Sequence, residues 1–561
     1  DRLMKSTLEM RLSIVALAVL FSSGQVLAQD ESAQDTAIED DDEVIEQIVV
    51  TGSRLRRDSF NVSTPLVVMN TEAIQDTGLN SLAEVLIDEM PAVFEGASNT
   101  NGQSYVNATG LTTMSLRNQG TDRTLVLIDG RRTVPNQYSS TAVSLNSIPT
   151  PLIQRVEVIT GGSSAAYGSD AIAGVVNIIT QQDRVGLAIE TRYGATSNGG
   201  GEEFSADLQY GTKYANDRGY LFFAATYDDQ QGIGPYERDR ARIEADFDYN
   251  TSLLCNEMQV VGGDQCLRDI VGGPEVWRNR SDGTPGGVFE EGRGNGGYWY
   301  DENNVLRDDW EEERDGVHTQ QFVQLKVPED RWTAALKTDY DLTDKLRGTF
   351  QVMYSENNSF NDKSPEDEYD GGEVLILDRE TLEPGTITPG RISPDNPFVP
   401  QAIRDDVSSN GIDWERRMYE VGHIQTDNNR TTLRGWLALQ GEFANDWQWD
   451  VSVGYGKSTQ TQYRYNEIDV VKERQALDAE YAEDGVTIQC ADPDARAAGC
   501  VPLNIFGVGS ITPEMADWLR VNPTIDSEVK QQTLLAFVSG DLFEMRHGPV
   551  PAVFGICLLY T

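Results

Sequence analysis

Five cysteines and three histidines are the residues whose types limit the chemistry open to this chain. Cys255 and Cys266 lie close in sequence, as do Cys490 and Cys500, and Cys557 stands alone. In an exported chain, two local pairs predict two small-loop disulfides. A zinc site would want CxxC-type spacing or nearby histidine, which three histidines in the whole chain argue against. No Ser/His/Asp, Cys/His or HExxH arrangement stands out, so no catalytic residue, resident metal or cofactor is expected, and the chain does not read as an enzyme. The stretch "DFDYNTSLLCNE" (Asp246–Glu257) spaces oxygens as a calcium loop does, but Thr251 stands where the sharp turn wants glycine.

Recognition is the chemistry that remains. Trp277 and the "GGYWY" stretch, with Tyr298, Trp299 and Tyr300, can stack on a sugar or aromatic ligand ring or pack against one another. "GGSSAAYGSDAIAGVVNII" (Gly161–Ile179) is rich in small residues that let backbones approach closely. It is not a dinucleotide loop, because the G-x-G-x-x-G spacing and the following helix are missing.

The elements that must position these residues change character along the chain. Lys5, Arg11 and the apolar run "LSIVALAVLF" before "VLA" predict a signal peptide over 1–28, cleaved near Ala28. The run is too short to span a bilayer, which takes about 20 residues as a helix. Residue 1 is Asp, so a start at Met4 or Met10 is expected. Residues 29–46 are acidic, without a basic residue, and predict a disordered tether. "EQIVVTGSR" follows, short and β-branched, as an isolated strand-like segment within 44–54. Residues 55–182 alternate between helical and strand patterns and predict one small α/β unit, with the helix stopping at Pro91.

From Leu187 the apolar period is two. Phe204, Ala206, Leu208 and Tyr210 fall on one face, with Glu203, Ser205, Asp207 and Gln209 on the other. Strands are predicted near 187–195, 203–212, 219–228, 332–342, 346–356, 431–443, 447–457 and 531–543. The connections alternate between tiny (Thr343–Lys345, Ala444–Asp446) and very long (229–331, 357–430, 458–530). Short turns on one side and long loops on the other are the pattern of a transmembrane antiparallel β-barrel, and strands of about 9–11 residues are long enough to cross when tilted. Eight strands and the start of a ninth leave an edge that lipid cannot satisfy. Residues 185–545 therefore predict a partial barrel, and 546–561 an aberrant tail of a truncated or frameshifted chain. The net charge of −45 argues against nucleic acid and anionic headgroups as partners. The mean hydropathy of −0.43 argues against a helical membrane protein.

Tether, strand-like segment, α/β unit and large-looped barrel, in that order, resemble a TonB-dependent outer-membrane receptor. "IVVTGSR" resembles its TonB box and plug start, "SLRNQGTDRTLVLIDGRR" and "VEVITGGSSAAYGSDAIAGVVNIIT" its plug domain, and "CVPLNIFG" (Cys500–Gly507) a signature of one large proteobacterial subgroup. The resemblance implies a mainly β fold with a small N-terminal plug, in a barrel that has about 22 strands in such transporters. It implies a TonB box at Glu46, Gln47, Ile48, Val49, Val50 and Thr51, held out for β-augmentation by the periplasmic domain of TonB. The first plug strand is the competing reading of those residues. Gly161, Gly162, Tyr167, Gly168, Gly174 and Asn177 become a structural plug motif. Arg131 and Arg132 can lock the plug to acidic barrel-wall groups or sit in a solvated turn. Trp277, Tyr298, Trp299 and Tyr300 become ligand candidates. The implied function is energised import of a scarce extracellular siderophore, carbohydrate or peptide across the outer membrane of a Gram-negative bacterium. The partners implied are TonB with its inner-membrane complex, the ligand and outer-membrane lipid, and the receptor is expected as a monomer. No room is left between Ala28 and Glu46 for a transducer-type signalling domain. A passive porin or a surface ligand-binding protein without TonB coupling is the alternative.

Overall fold

A computed structural model describes the pairs Val49–Val50 and Arg57–Asp58 and most of the chain from Leu66 onward; the stretches 1–48, 51–56, 59–65, 78–80, 101–105, 240–244, 248–275, 290–296, 378–383, 408–409 and 444–446, and positions 162, 236, 279, 282 and 547, lie outside it. The predicted signal peptide and tether, and the Asp246–Glu257 stretch from residue 248 on, fall outside the described residues.

The N-terminal unit is built on a five-stranded sheet. Its strands are β1 (Leu66–Asn70), β2 (Thr124–Ile128), β3 (Arg131–Arg132), β4 (Ile153–Thr160) and β5 (Gly174–Thr180), in the spatial order β1-β4-β5-β2-β3. The pair β2·β5 is parallel and the other three pairs are antiparallel. Every residue of β2 and β5 is buried. Central strands covered on both faces read as continuous apolar runs rather than alternating ones. Helix α1 (Leu82–Glu89) supplies one cover, burying Leu82, Ala83, Val85 and Leu86, and ends at Met90 before Pro91. These four pack with Val126, Val156, Val176 and Ile178 in one apolar core.

The second part is a nine-stranded antiparallel sheet in which each strand pairs with its neighbours in sequence. Its strands are β6 (Gly186–Gly194), β7 (Glu203–Tyr214), β8 (Gly219–Gln230), β9 (Glu329–Thr343), β10 (Leu346–Pro365), β11 (His423–Glu442), β12 (Gln448–Tyr465), β13 (Thr524–Met545) and β14 (Gly548–Tyr560). The sheet is open, with β6 and β14 at its two edges. Within segment 546–561, read in the sequence as an aberrant tail, β14 pairs along its whole length with β13. It lost the apolar/polar alternation because its apolar residues occupy both faces. No helix among the described residues is long and apolar enough to cross a membrane, which says nothing about strands.

Side chains alternate across this sheet as a membrane wall requires. Leu187, Ile189, Trp332, Phe350, Leu433, Leu437 and Val453 are exposed on one face. Ser205, Asp207, Gln209, Thr226, Asp228, Arg331, Lys337, Gln351, Arg430 and Arg434 are buried on the other. That polar face covers the N-terminal unit, and Phe222, Ala224, Ala335 and Met353 join its apolar core.

The strands on the long-connection side run farther than their apolar pattern: β10 reaches Pro365, β11 begins at His423 and β12 reaches Tyr465. The long connections between β8 and β9, β10 and β11, and β12 and β13 fold into a shared core. Phe289 from the first, Ile403, Trp414 and Met418 from the second, and Leu477, Leu503, Ile505, Phe506 and Leu519 from the third are buried together. Three short helices shape the third connection, one of them Pro493–Ala497. Asp469 caps α2 (Val470–Leu477) by accepting from the amides of Val471 and Lys472. Thr512 caps α3 (Pro513–Leu519), with Pro513 in the first turn where its missing N–H costs nothing.

Candidate functional site

The turn between β2 and β3 is where the N-terminal unit meets the wall. Asp129 and Gly130 both have positive φ, +48° and +74°, as a two-residue hairpin turn requires. Asn177 on β5 fixes the turn by accepting the Gly130 amide at 2.9 Å. Asp129 accepts the backbone amide of Thr180 at 3.0 Å and its hydroxyl at 2.7 Å. The turn is thereby tied to the central strand before it touches the wall.

Two contacts of opposite polarity follow. Arg131 donates to Asp450 of β12 at 2.7 Å and lies 4.1 Å over the Trp436 ring of β11. Lys337 of β9 donates to Thr180 Oγ1 at 2.7 Å and stands 3.8 Å from the Asp129 carboxylate. Within three residues the turn thus offers an anion to a wall cation and a cation to a wall anion. Both members of the Arg131–Asp450 pair are largely buried, where an ion pair is screened little. Cavities of about 340 and 430 Å³ flank the turn, and Asp129 and Arg131 line both.

A second contact lies nearer the long connections. Arg430 of β11 gives its guanidinium to three backbone carbonyls: Thr109 at 3.2 Å, Asn107 at 2.5 Å and Asn136 at 3.4 Å. Arg434, on the same face, donates to Thr133 Oγ1. Asn136 returns a bond to Thr432 at 2.8 Å, and Asn99 donates to Gln230 at 2.6 Å.

Residues 58–175 match the family model described as TonB-dependent Receptor Plug Domain. The chain carries a TonB-dependent receptor plug domain. The plug is the five-stranded unit, and the surface it presents to the wall is the one just described. Among solved structures, the chain is similar to the ferric enterobactin receptor of Pseudomonas aeruginosa at 12% identity and a TM-score of 0.36, over 88% of this chain and 58% of that one. It is similar to the ferric-catecholate import receptor Fiu of E. coli K12 at 12% identity and a TM-score of 0.38, over 91% and 68%. It is also similar to BauA, the ferric preacinetobactin receptor of Acinetobacter baumannii, at 11% identity and a TM-score of 0.38, over 86% and 56%. The chain spans less than 60% of the length of the enterobactin receptor.

The structure separates the two arginines singled out in the sequence. Arg131 reaches the wall. Arg132 does not, and bonds instead to Asp170 and the Tyr167 carbonyl inside the plug. Of the two readings of this pair, a lock on the wall or a solvated turn, Arg132 follows neither, because strand alternation sends the next side chain to the other face. In the plug motif, Tyr167 is buried, Gly161 follows β4, Gly168 ends a helical turn, and Gly162 lies outside the described residues. Gly174 has φ +149°, and a Cβ there would stand 2.2 Å from the Ile159 carbonyl oxygen.

Of the residues read as a TonB box, Val49 and Val50 pair antiparallel with Asp58 and Arg57 in a two-stranded sheet of their own. Glu46, Gln47, Ile48 and Thr51 lie outside the described residues. Cys490 and Cys500 form a disulfide, Cys557 is free, and Cys255 and Cys266 lie outside the described residues.

The ligand candidates divide. Trp299 and Tyr300 line a cavity of about 750 Å³ among the long connections, together with Tyr419 and three arginines, Arg280, Arg307 and Arg314. Trp299 donates to Asp309 at 3.4 Å and stacks edge-on against Trp310. Arg307 grips the same Asp309 with two bonds, at 2.9 and 2.7 Å, which holds that carboxyl below its usual range. Burial pushes the Tyr300 hydroxyl up. Tyr298 does not line the cavity and donates to Asp406 at 3.2 Å. Trp277 lies on a strand pairing Val276–Arg278 with Ala245–Phe247. Sequence reading missed Lys337, Asp450, Arg430 and the three cavity arginines. Each sits on the polar side of a strand or in a polar loop, and only its partner from a distant segment distinguishes it.

Proposed function

We propose that this chain is the plug and part of the barrel of an active importer of the outer membrane of a Gram-negative bacterium, energised through TonB. The observation that carries the reading is a TonB-dependent receptor plug seated against the polar face of an antiparallel sheet whose other face is apolar. A passive porin needs no such occupant. The long connections face outward and the Asp129–Arg131 turn faces the periplasm.

The aromatic lining of the cavity among the long connections favours a ferric siderophore as the ligand. Trp299, Tyr300 and Tyr419 offer aromatic faces, while Arg307 and Arg314 are paired there with Asp309 and Asp315. Carbohydrate and peptide are the competing classes. Ligand binding at that cavity shifts the plug between two states, and the shift is limited by the ligand's differential affinity for them. In one state Val49–Val50 keeps its short pairing with Arg57–Asp58; in the other the strand is released to add to a sheet edge of TonB. A two-residue pairing is cheap to exchange, and main-chain bonds carry both interactions.

Deletion of Ile48–Gly52 in the natural host tests the reading. Ligand binding to cells should persist while uptake in energised cells is lost. Uptake that survives the deletion overturns TonB coupling. Growth of a deletion strain on panels of iron, sugar and peptide sources assigns the ligand class, with restored growth on a chelated iron source expected.

A further inference from the structure

The shared core of the long connections contains a group that its surroundings do not satisfy. Helix α2 buries Val470, Glu473, Ala476 and Leu477. Their spacing puts them on one helical face, so packing the apolar three carries Glu473 inside as well. Its side chain is 0% exposed, and neither carboxylate oxygen has a hydrogen-bond partner among the described residues. The charged groups that face it are Glu368 and Glu366, from the segment that follows β10.

The surrounding cations are committed elsewhere. Arg464 pairs with Glu467 at 2.6 Å, and Arg417 pairs with Asp367. Arg416, opposite Glu368 in register, gives Nε to the Pro285 carbonyl and Nη2 to Glu420 and the Gly507 carbonyl, and its buried Nη1 has no hydrogen-bond partner among the described residues. Lys472, next to Glu473, lies 5.1 Å over the Trp518 ring of α3. Lys363 acts on Glu366, at the rim of the cluster. Neither Glu368 nor Glu473 has an ion-pair partner among the described residues. No group of three carboxylate, histidine or cysteine side chains among the described residues is arranged to hold a metal ion. A buried carboxylate without cation, metal or donor is expensive as an anion and neutralises by taking up a proton.

We propose that Glu473, with Glu368 beside it, is a proton-binding latch that closes the long-connection core when it takes a proton from solvent and loosens it when the proton returns to solvent. The electrostatics agree. Burial first, and then Glu368 and Glu366, push the Glu473 carboxyl well up. Burial first, and then Glu366, Asp367 and Glu467, push Glu368 up to about 8. Both groups bind protons more tightly in the folded core than in an unfolded loop. Their contribution is therefore complete below the ordinary carboxylate range and is lost as pH rises, through about 8 for Glu368 and in the same direction for Glu473. Because the three long connections share this core, the latch bears on the whole outward assembly.

The test uses the full chain in detergent. Hydrogen exchange of residues 470–477 is followed from pH 6 to pH 9.5, corrected for the intrinsic rate. The infrared carboxylic-acid C=O band is recorded at neutral pH. In the parent protein, protection should fall by up to roughly tenfold per pH unit for each proton released, then level off. The carboxylic-acid band should be present. Glu473→Gln cannot ionise, so protection of 470–477 should stay flat over this range and the band should weaken. Glu368→Gln should reduce the pH dependence and stands in should Glu473→Gln fail to fold. Equal pH profiles in parent and variants overturn the latch. So does the absence of a carboxylic-acid band in the parent, including the case where added Ca²⁺ alone restores protection at high pH.

Discussion

Arg131 and Asp450 lie 319 positions apart in sequence and meet at 2.7 Å across the boundary between plug and wall. Gln440 donates to the same carboxylate oxygen at 2.6 Å, and Trp436 covers the guanidinium. The contact is buried and directional, so its loss strands one charge in a poorly solvated site. Asp450→Ala and Arg131→Ala should each cost about 3–5 kcal/mol of plug docking. The double variant should cost less than the sum of the two, with a coupling of about 0.5–3 kcal/mol. Denaturant unfolding of the four proteins, read by a probe in the plug, gives the cycle directly. Strict additivity would show that the pair does not act as a unit.

Gly174 opens the central plug strand at φ +149°, against the backbone of β4. Any side chain there meets both an unfavourable φ and the Ile159 carbonyl. Gly174→Ala should destabilise the plug by more than the ~1 kcal/mol that a Gly→Ala change gains at a compatible position. Gly130→Ala is a useful contrast: it shares the positive φ but has nothing within 4 Å of the added carbon. Thermal melts should rank Gly174→Ala as the less stable of the two.

Much of the architecture was legible because membrane-wall strands carry their period openly. Phe204 to Tyr210 alternates with Glu203 to Gln209, and the sheet places the two sets on opposite faces. The strand ends were not legible for the same reason. Beyond the apolar band, stretches such as Ser355–Pro365 and His423–Arg430 are polar on both faces, so no period marks them while the backbone ladder continues. β14 was hidden by the converse, apolar residues on both faces. The plug motif was visible in its glycines, but the partners that make the plug–wall contact were not. Asp450 and Lys337 look like any inward polar residue until the fold brings the Asp129–Arg131 turn to them. The core of the long connections was invisible because its members come from three segments, none of which has a periodic pattern of its own.

That core depends on Arg416. Its side chain is 0% exposed and ties the three long connections together, donating to the Pro285 carbonyl at 2.9 Å, to Glu420 at 2.6 Å and to the Gly507 carbonyl at 3.0 Å. Arg416→Ala leaves Glu420 and two carbonyls without their donor and should cost the core about 3–5 kcal/mol. Arg416→Lys should recover only part, since an ammonium cannot span three acceptors in a planar fork. Limited proteolysis followed by mass mapping should show new cuts within 281–325, 366–422 and 466–523 together, with the nine-stranded sheet intact. Cuts confined to the second segment would mean that the three do not depend on one another.

The Cys490–Cys500 disulfide closes a short loop beside α2, with its cysteines 10 positions apart. Constraining a loop of this length in the unfolded ensemble stabilises by about 2–3 kcal/mol in the chain-entropy account. Cys490 is fully buried, so reduction also requires the loop to open. The paired variant Cys490→Ser with Cys500→Ser should lower the protection of residues 470–511 by one to two orders of magnitude, at about 1.4 kcal/mol per tenfold. Protection in the plug should be unchanged. Hydrogen exchange with and without reductant distinguishes the outcomes. Reductant should reproduce the paired variant in the parent chain and have no effect on the variant itself, whereas equal protection in all four samples would mean that packing around Leu503, Ile505 and Phe506 holds the segment without the bridge.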